Sequence, residues 1–174
     1  VKFQGIQEVY NLACPTSAKN FDQFKIQTLD SNAFATKNAL ELALKHKAKV
    51  VHLSTSVVYG PRKEDKSKFK EDDLGIINHL SPRGCYDEGK RFAETVCATY
   101  KQVYKMDIKM ARIFRTYGPR QRLFDGEMVP DFIVDALEGR DLVIYGDENF
   151  STSLIYVSDI VDGLVKLIAA PVGT

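Results

Sequence analysis

The chain has 174 residues, of which 44% are hydrophobic, and this length is sufficient for one domain with a buried core. Its 24 Lys and Arg residues balance 23 Asp and Glu residues, so its charge gives no reason to expect a nucleic acid or an anionic membrane as a partner. No apolar run approaches the roughly 20 residues that span a bilayer. The three cysteines, Cys14, Cys85 and Cys97, lack metal-ligand spacing, which predicts no metal site and a reduced, cytoplasmic location.

The first half of the chain predicts two strands separated by a long helix. Residues 8–13 are predicted to form a short strand, and residues 21–46 carry an apolar stripe at helical spacing. Residues 50–53 are largely apolar, as expected for a strand covered on both faces. Residues 60–80 include the charged run 62–66 and are predicted to form a surface loop.

The second half continues the alternation of helices and strands. In order, it predicts a helix at 86–104, a strand at 107–114, a helix at 129–137 capped by Gly139, a strand at 142–145, a turn at 146–149 and an amphipathic helix at 157–168. Strands that alternate with helices form parallel βαβ units, so the predicted fold class is α/β.

The residues that follow the predicted strands are expected to meet at one edge of the sheet. Residues 12–14, 54–56 and 114–116 come at or after strand ends, and in parallel sheets ligands bind beyond the carboxyl ends of the strands. The helix that carries Tyr86 and Lys90 is expected to lie at the same edge. The sequence therefore predicts one crevice formed by three strand ends and this helix.

Tyr86 and Lys90 are four residues apart, so on a helix they lie one turn apart on the same face. A tyrosine is a poor base because its unperturbed pKa is about 10. A nearby ammonium favours the phenolate and lowers that pKa, which makes the pair a candidate general base. The pattern taken alone is also typical of ordinary residues on a helix surface.

Several motifs together resemble those of the extended short-chain dehydrogenase/reductases of the nucleotide-sugar epimerase and dehydratase class. They are NLA at 11–13, STSVVYG at 54–60, YDEGK at 86–90, ARIFRTYGPR at 111–120, LVIYG at 142–146 and YVSD at 156–159. Their order and spacing hold over nearly the whole chain. Within this class, the motifs are most similar to those of the UDP-glucuronate decarboxylases, which form UDP-xylose.

The resemblance implies a Rossmann-like, doubly wound parallel sheet of which this chain is a part. Residues 1–120 would be the second half of an NAD-binding domain with the catalytic helix, and residues 121–174 the beginning of a substrate-binding lobe. The first βαβαβ half, with its Gly-rich turn, and the end of the lobe would lie outside the chain. The long helices at 21–46 and 86–104 would form a homodimer contact.

The resemblance also implies NAD as the cofactor, a UDP-linked sugar as the substrate and a 4-keto intermediate. Tyr86 would take the proton from the sugar 4-hydroxyl, Thr55 would hydrogen-bond the same oxygen, and Lys90 would hold the nicotinamide ribose and lower the pKa of Tyr86. A decarboxylase would then release carbon dioxide from the keto acid. A 4-epimerase or a 4,6-dehydratase would begin with the same step.

The remaining site residues follow from the resemblance, position by position. The implied cofactor-binding residues are Leu12, Ala13, Cys14, Ser31, Ser54, Tyr86, Lys90 and Thr116. The implied substrate-binding residues are Asn38, Thr55, Tyr86, Arg115 and Arg120.

Four positions depart from the decarboxylase pattern. Val57 stands in place of a glutamate, Thr152 in place of an arginine, Asp30 in place of a lysine and Arg115 in place of an asparagine. The changes at 57 and 152 remove charged groups whose contacts with an anionic substrate contribute about 1.5–3 kcal/mol each. We therefore expect a different substrate, a reduced activity, or a catalytically silent homologue that acts as a binding or dimerisation module.

Overall fold

The computed structural model describes residues 3–16, 21–61, 68–144 and 151–172. The predicted charged run at 62–66 and the predicted turn at 146–149 lie outside these described residues.

A three-stranded parallel sheet forms the centre of the fold. Its strands are β1 (Glu8–Asn11), β2 (Lys49–Thr55) and β3 (Ile108–Ile113), hydrogen-bonded in the order β1-β2-β3. β2 lies in the middle, and its Val50 and Val51 are fully buried on opposite faces, as expected for a strand covered on both sides. The predicted parallel α/β architecture is confirmed.

One face of the sheet is covered by two long helical segments. The predicted helix at 21–46 is observed as α1 (Phe21–Asp30), a π-helical segment (Ser31–Ala35) and α2 (Thr36–His46). The helix that carries Tyr86 and Lys90, α3 (Gly84–Tyr104), packs beside them. Leu40 of α2 and Cys97 of α3 share a core with Val50 and Ile108 of the sheet, so burial of apolar side chains holds both helices on the strands.

The opposite face is covered by α5 (Val157–Ala169). Leu164 and Ile168 of this helix pack against Val51 of β2. The sheet is therefore covered on both faces, in agreement with the predicted doubly wound arrangement. α5 belongs to the part of the chain expected to form a substrate lobe, and the division at residue 120 stays a prediction.

A second, two-stranded parallel sheet follows the first. β4 (Arg115–Tyr117) pairs with β5 (Leu154–Tyr156), and α4 (Met128–Leu137) lies between them in sequence. The predicted strand at 142–145 is wrong over the described residues 142–144, which are in no strand. The reason is that β4 takes Leu154–Tyr156 as its neighbour, with the Tyr117 and Tyr156 rings 5.5 Å apart edge to face, while residues 142–144 are about half exposed.

Candidate active site

Thr55 ends the central strand at the edge where the crevice was predicted. Its backbone is still extended, and the chain then turns into a short 3₁₀ segment, Ser56–Tyr59. The Thr55 hydroxyl oxygen accepts a hydrogen bond from the Val57 N–H at 3.5 Å, which caps this turn. Thr55 therefore has its side chain fixed at the carboxyl end of β2.

Tyr86 and Lys90 lie in the first turns of α3 and face the same strand end. Their side chains are buried, with 9% and 5% of the residue surface exposed. The Tyr86 hydroxyl is hydrogen-bonded to Thr55, and the Lys90 ammonium donates to the Leu53 carbonyl oxygen at 2.9 Å. The predicted placement of Tyr86 and Lys90 on one helix face, beside Thr55, agrees with this geometry.

The direction of the Tyr86 pKa differs from the expectation. Burial raises the pKa of Tyr86 above its usual value, although the hydrogen bond from Thr55 favours the phenolate and acts against burial. Burial also lowers the pKa of Lys90, whose ammonium is directed to the Leu53 carbonyl. Tyr86 is therefore a neutral phenol at neutral pH in this state, and its action as a base requires that its pKa fall when the site is filled.

Asn32 is a buried polar residue next to Cys14 that the sequence interpretation missed. It lies in the π-helical segment, is almost fully buried, and its amide donates to the Thr28 carbonyl at 2.9 Å and to the Cys14 sulfur at 3.3 Å. Thr28, Asn32 and Thr36 are four residues apart and all buried. This spacing was the available signal, because polar residues at every fourth position share one helix face.

Gly89 allows α3 to approach Asn32. A Cβ atom at this position would lie 3.0 Å from the Asn32 amide nitrogen. In α5, by contrast, a Cβ at Gly163 meets nothing within 4 Å.

We expect Gly89→Ala to lower the free energy of unfolding by about 1–3 kcal/mol, because overpacking displaces the hydrogen-bonded Asn32. The matched change Gly163→Ala is expected to raise it by about 0.5–1 kcal/mol through helix propensity alone. Urea unfolding of both variants measures the difference, and equal stabilisation in the two would contradict the close approach.

The buried polar side chains of Asn11, Thr36 and His52 form a cluster between β1, α2 and β2. The Asn11 amide donates to the Thr36 hydroxyl at 3.3 Å and contacts the His52 Nδ1 at 3.1 Å. Burial and, to a smaller extent, the Lys90 charge lower the pKa of His52 to about 4, against the opposing charge of Glu94. His52 is thus a neutral core residue at neutral pH.

The other implied cofactor residues are placed as follows. Leu12 and Ala13 are exposed directly after β1, with 55% of the Leu12 surface accessible, and Cys14 accepts the Asn32 hydrogen bond. The Ser54 hydroxyl, in contrast, donates to the Glu94 carboxylate at 2.5 Å. The cofactor-binding roles of these four residues, and those of Ser31 and Thr116, stay predictions.

Ser31 and Thr116 make local hydrogen bonds. The Ser31 hydroxyl donates to the Thr28 carbonyl at 3.1 Å, and the Thr116 hydroxyl donates to the Phe114 carbonyl at 3.3 Å. Ser31 is next to the buried Asn32, whereas Thr116 is on β4.

The implied substrate residues outside the Tyr86 group are more dispersed. Asn38 is exposed on α2, and the buried asparagine of this helical region is Asn32. Arg115 is half-buried on β4, and Arg120 is exposed in the following turn with a φ of 67°. Thr55, Tyr86 and Lys90 therefore lie together at one strand end. Among the described residues, no contact supports the predicted role of Asn38.

Within the described ranges, no group of His, Cys, Asp and Glu side chains is arranged to hold a metal ion. The same ranges contain no helix that is both long and apolar enough to cross a membrane.

The fold and the site define a Rossmann-like α/β protein with a Tyr–Lys pair on a helix at the sheet's carboxyl edge. The family model described as "NAD dependent epimerase/dehydratase family" matches residues 1–174. The chain belongs to this NAD-dependent epimerase/dehydratase family.

Curated relatives and solved structures agree with this assignment. The chain is 41% identical over 170 residues to UDP-glucuronic acid decarboxylase 1 of Xenopus tropicalis, covering 97% of this chain and 40% of that protein. It is similar in structure to UDP-glucuronic acid 4-epimerase from Bacillus cereus in complex with UDP-glucuronic acid and NAD, with a TM-score of 0.80, 30% identity, and coverage of 95% of this chain and 50% of that one.

A third comparison is with the dTDP-glucose 4,6-dehydratase from Bacillus anthracis in complex with NAD. The TM-score is 0.77 at 27% identity, with coverage of 93% of this chain and 47% of that one. The chain therefore spans about half the length, or less, of the proteins to which it is similar.

Proposed function

We propose that this protein takes part in the NAD-dependent conversion of a nucleotide sugar through a 4-keto intermediate, with decarboxylation of UDP-glucuronate as the overall reaction. The observation that carries the proposal is the buried Tyr86 hydroxyl, hydrogen-bonded to Thr55 one helical turn from the buried Lys90. The identity of 41% to a UDP-glucuronic acid decarboxylase supports this choice of substrate.

The residues at the sheet edge fit NAD. Leu12 presents an exposed apolar side chain directly after β1, suitable for contact with a planar ring. Lys90 carries three N–H donors, of which the described contacts use one, to Leu53. Leu12 and Ala13 would therefore line the dinucleotide and Lys90 would hold its ribose, and when bound NAD supplies the hydride acceptor and donor of the reaction.

Tyr86 and Thr55 would carry out the transfer of the sugar 4-hydroxyl proton. Thr55 hydrogen-bonds the sugar 4-oxygen and Tyr86 accepts the 4-hydroxyl proton as the C4–H bond is oxidised to the ketone. In a glucuronate this ketone is β to the carboxylate, so the carbon–carbon bond breaks, carbon dioxide leaves and the electron pair passes to the keto oxygen as an enolate. After a proton from water is added at C5 and C4 is reduced, Tyr86 returns its proton to the 4-oxygen. General acid–base catalysis of this kind contributes about 10²–10⁴-fold to the rate.

Two departures from the decarboxylase pattern favour a second candidate, a UDP-sugar 4-epimerase or 4,6-dehydratase. Val57, in the short 3₁₀ segment that Thr55 caps, carries no charge, and neither does the half-buried Thr152 before β5. An uncharged pair at these positions weakens recognition of a carboxylate and leaves the first oxidation step unchanged. The third hypothesis is that the protein is a catalytically silent binding or dimerisation module.

Product analysis with the full-length protein tests the proposal. NAD released by denaturation is quantified by mass spectrometry, and UDP-glucuronate labelled at the carboxylate carbon is supplied. Release of labelled carbon dioxide with UDP-xylose is expected. UDP-galacturonate without carbon dioxide, or turnover of UDP-glucose, would replace the decarboxylase by the second candidate. Bound NAD without any turnover would favour the silent module.

A homodimer and a cytoplasmic location are further parts of the proposal. The apolar residues Phe34, before α2, and Phe92 and Val103 of α3 are more than half exposed, which suits a helical contact with a second copy. All three cysteines are free, as is typical of a reducing compartment.

A further inference from the structure

Glu94 of α3 joins the ends of two strands to the helix that carries Tyr86 and Lys90. Its carboxylate accepts one hydrogen bond from the Ser54 hydroxyl at 2.5 Å. It accepts two more from the Arg112 guanidinium, from Nε at 2.9 Å and from Nη2 at 2.8 Å. Only 13% of the Glu94 side chain is exposed, so these charge-assisted bonds are shielded from water and strong.

The two partners of Glu94 are neighbours across the sheet. Ser54 of β2 and Arg112 of β3 are paired in the parallel register. Arg112 also donates to the Glu71 carbonyl at 2.8 Å and lies 4.8 Å from the centre of the Tyr59 ring. The Glu94–Arg112 pair therefore joins the helix, the two strand ends and the loop residue Glu71 to one another.

Three consecutive residues of β2 each hold one residue of α3. Leu53 accepts from Lys90, Ser54 donates to Glu94, and Thr55 is hydrogen-bonded to Tyr86. Since Tyr86, Lys90 and Glu94 are four residues apart, they share one helix face. These contacts fix the position of α3 along β2 and its rotation about the helix axis.

Glu94 also contributes negative charge near Lys90. Burial lowers the pKa of Lys90, and Cys14, Cys97 and Glu94, in decreasing order of effect, act to raise it. The titratable groups that act on Lys90 are Cys14 after β1, His52 on β2, and Glu94 and Cys97 on α3. Arg112 on β3 is the charged partner of Glu94.

We propose that Glu94 is a positioning residue that fixes α3 on the strand ends and supplies the negative charge beside the buried Lys90 ammonium. The kinetic part of this inference rests on the proposed function, and the electrostatic part does not. Glu94→Gln removes the charge and keeps the side-chain shape, whereas Arg112→Gln removes the positive partner and keeps the carboxylate.

The test is a pH titration of Lys90 in the full-length protein labelled with ¹³C-lysine, with its NMR signal identified by Lys90→Arg. We expect the Lys90 midpoint to move to lower pH in Glu94→Gln and to higher pH in Arg112→Gln. The control Glu88→Gln, which removes an exposed carboxylate from the same helix, is expected to leave it unchanged. A general loss of stability cannot produce opposite shifts, and if Glu94→Gln does not fold, Arg112→Gln alone still tests the direction.

Turnover gives the second measurement. Displacement of reacting groups by about 1 Å costs on the order of 10²-fold in rate, so kcat is expected to fall by this factor in both variants while Glu88→Gln keeps the wild-type value. Equal or absent shifts of the Lys90 midpoint, or unchanged kcat in Glu94→Gln, would overturn the inference. A wild-type protein without turnover would overturn the proposed function alone, because the titration does not depend on activity.

Discussion

Tyr86→Phe is expected to reduce kcat for the nucleotide sugar by about 10²–10⁴-fold. The change deletes one oxygen from a buried side chain and keeps the ring that packs at the start of α3. The proton of the sugar 4-hydroxyl then has no positioned acceptor, whereas the packing of the ring is retained and the hydrogen bond to Thr55 is lost. KM is expected to change much less than kcat, because the lost interaction acts mainly in the transition state.

The matched control is Tyr104→Phe, at the other end of the same helix, where the side chain is half exposed. It removes the same atom and should leave kcat within two- to three-fold. Steady-state kinetics on both variants, together with urea unfolding, separates catalysis from folding. A Tyr86→Phe protein that works at the wild-type rate would exclude Tyr86 as the proton acceptor.

The second large effect concerns pH and His52. In the folded protein burial lowers the pKa of His52 from 6.5 to about 4, whereas the unfolded chain titrates near 6.5. Between these values the unfolded state binds a proton that the folded state does not, so stability is lost as the pH falls from 6.5 towards 4. At 1.36 kcal/mol per pKa unit, His52 accounts for a loss of about 3 kcal/mol.

Comparison of variants isolates this contribution from that of the carboxylates. His52→Asn retains an acceptor for the Asn11 amide and cannot titrate, so its unfolding free energy should fall about 3 kcal/mol less than that of the wild type between pH 7 and pH 4. His79→Asn, on an exposed loop, should keep the wild-type slope. Parallel pH profiles for His52→Asn and the wild type would show that His52 is not the titrating group.

Local patterns in the sequence predict the part of the site that lies on one helix and one strand. The spacing of Tyr86 and Lys90 predicts a common face because α3 is regular, and the apolar run at 50–53 predicts the central strand. Both elements are observed. The meeting of residues 54–56 with this helix follows from the rule that ligands bind at the carboxyl ends of parallel strands, whereas the choice of Thr55 as the partner of Tyr86 came from the family resemblance.

Contacts that depend on register and on helix irregularity could not be predicted in this way. The pairing of Ser54 with Arg112, which places both beside Glu94, requires the register of β2 on β3. Asn32 is buried, whereas Asn38 is exposed; the apolar stripe does not distinguish the two, although the four-residue spacing of Thr28, Asn32 and Thr36 does. The apolar run at 142–144 has strand composition, but β4 pairs with β5 instead.

The π-helical segment Ser31–Ala35 makes the number of residues in this region as important as their chemistry. A π turn contains one residue more than an α turn. In a regular α-helix, residues eight positions apart differ by about 80° in direction, so the wide turn is what lets both Thr28 and Thr36 face the core. With one residue removed from the segment, the two threonines would be seven steps apart in a continuous α-helix, about 20° short of two full turns, and would still share a face. We expect homologous chains to have either this π turn or a regular helix that is one residue shorter.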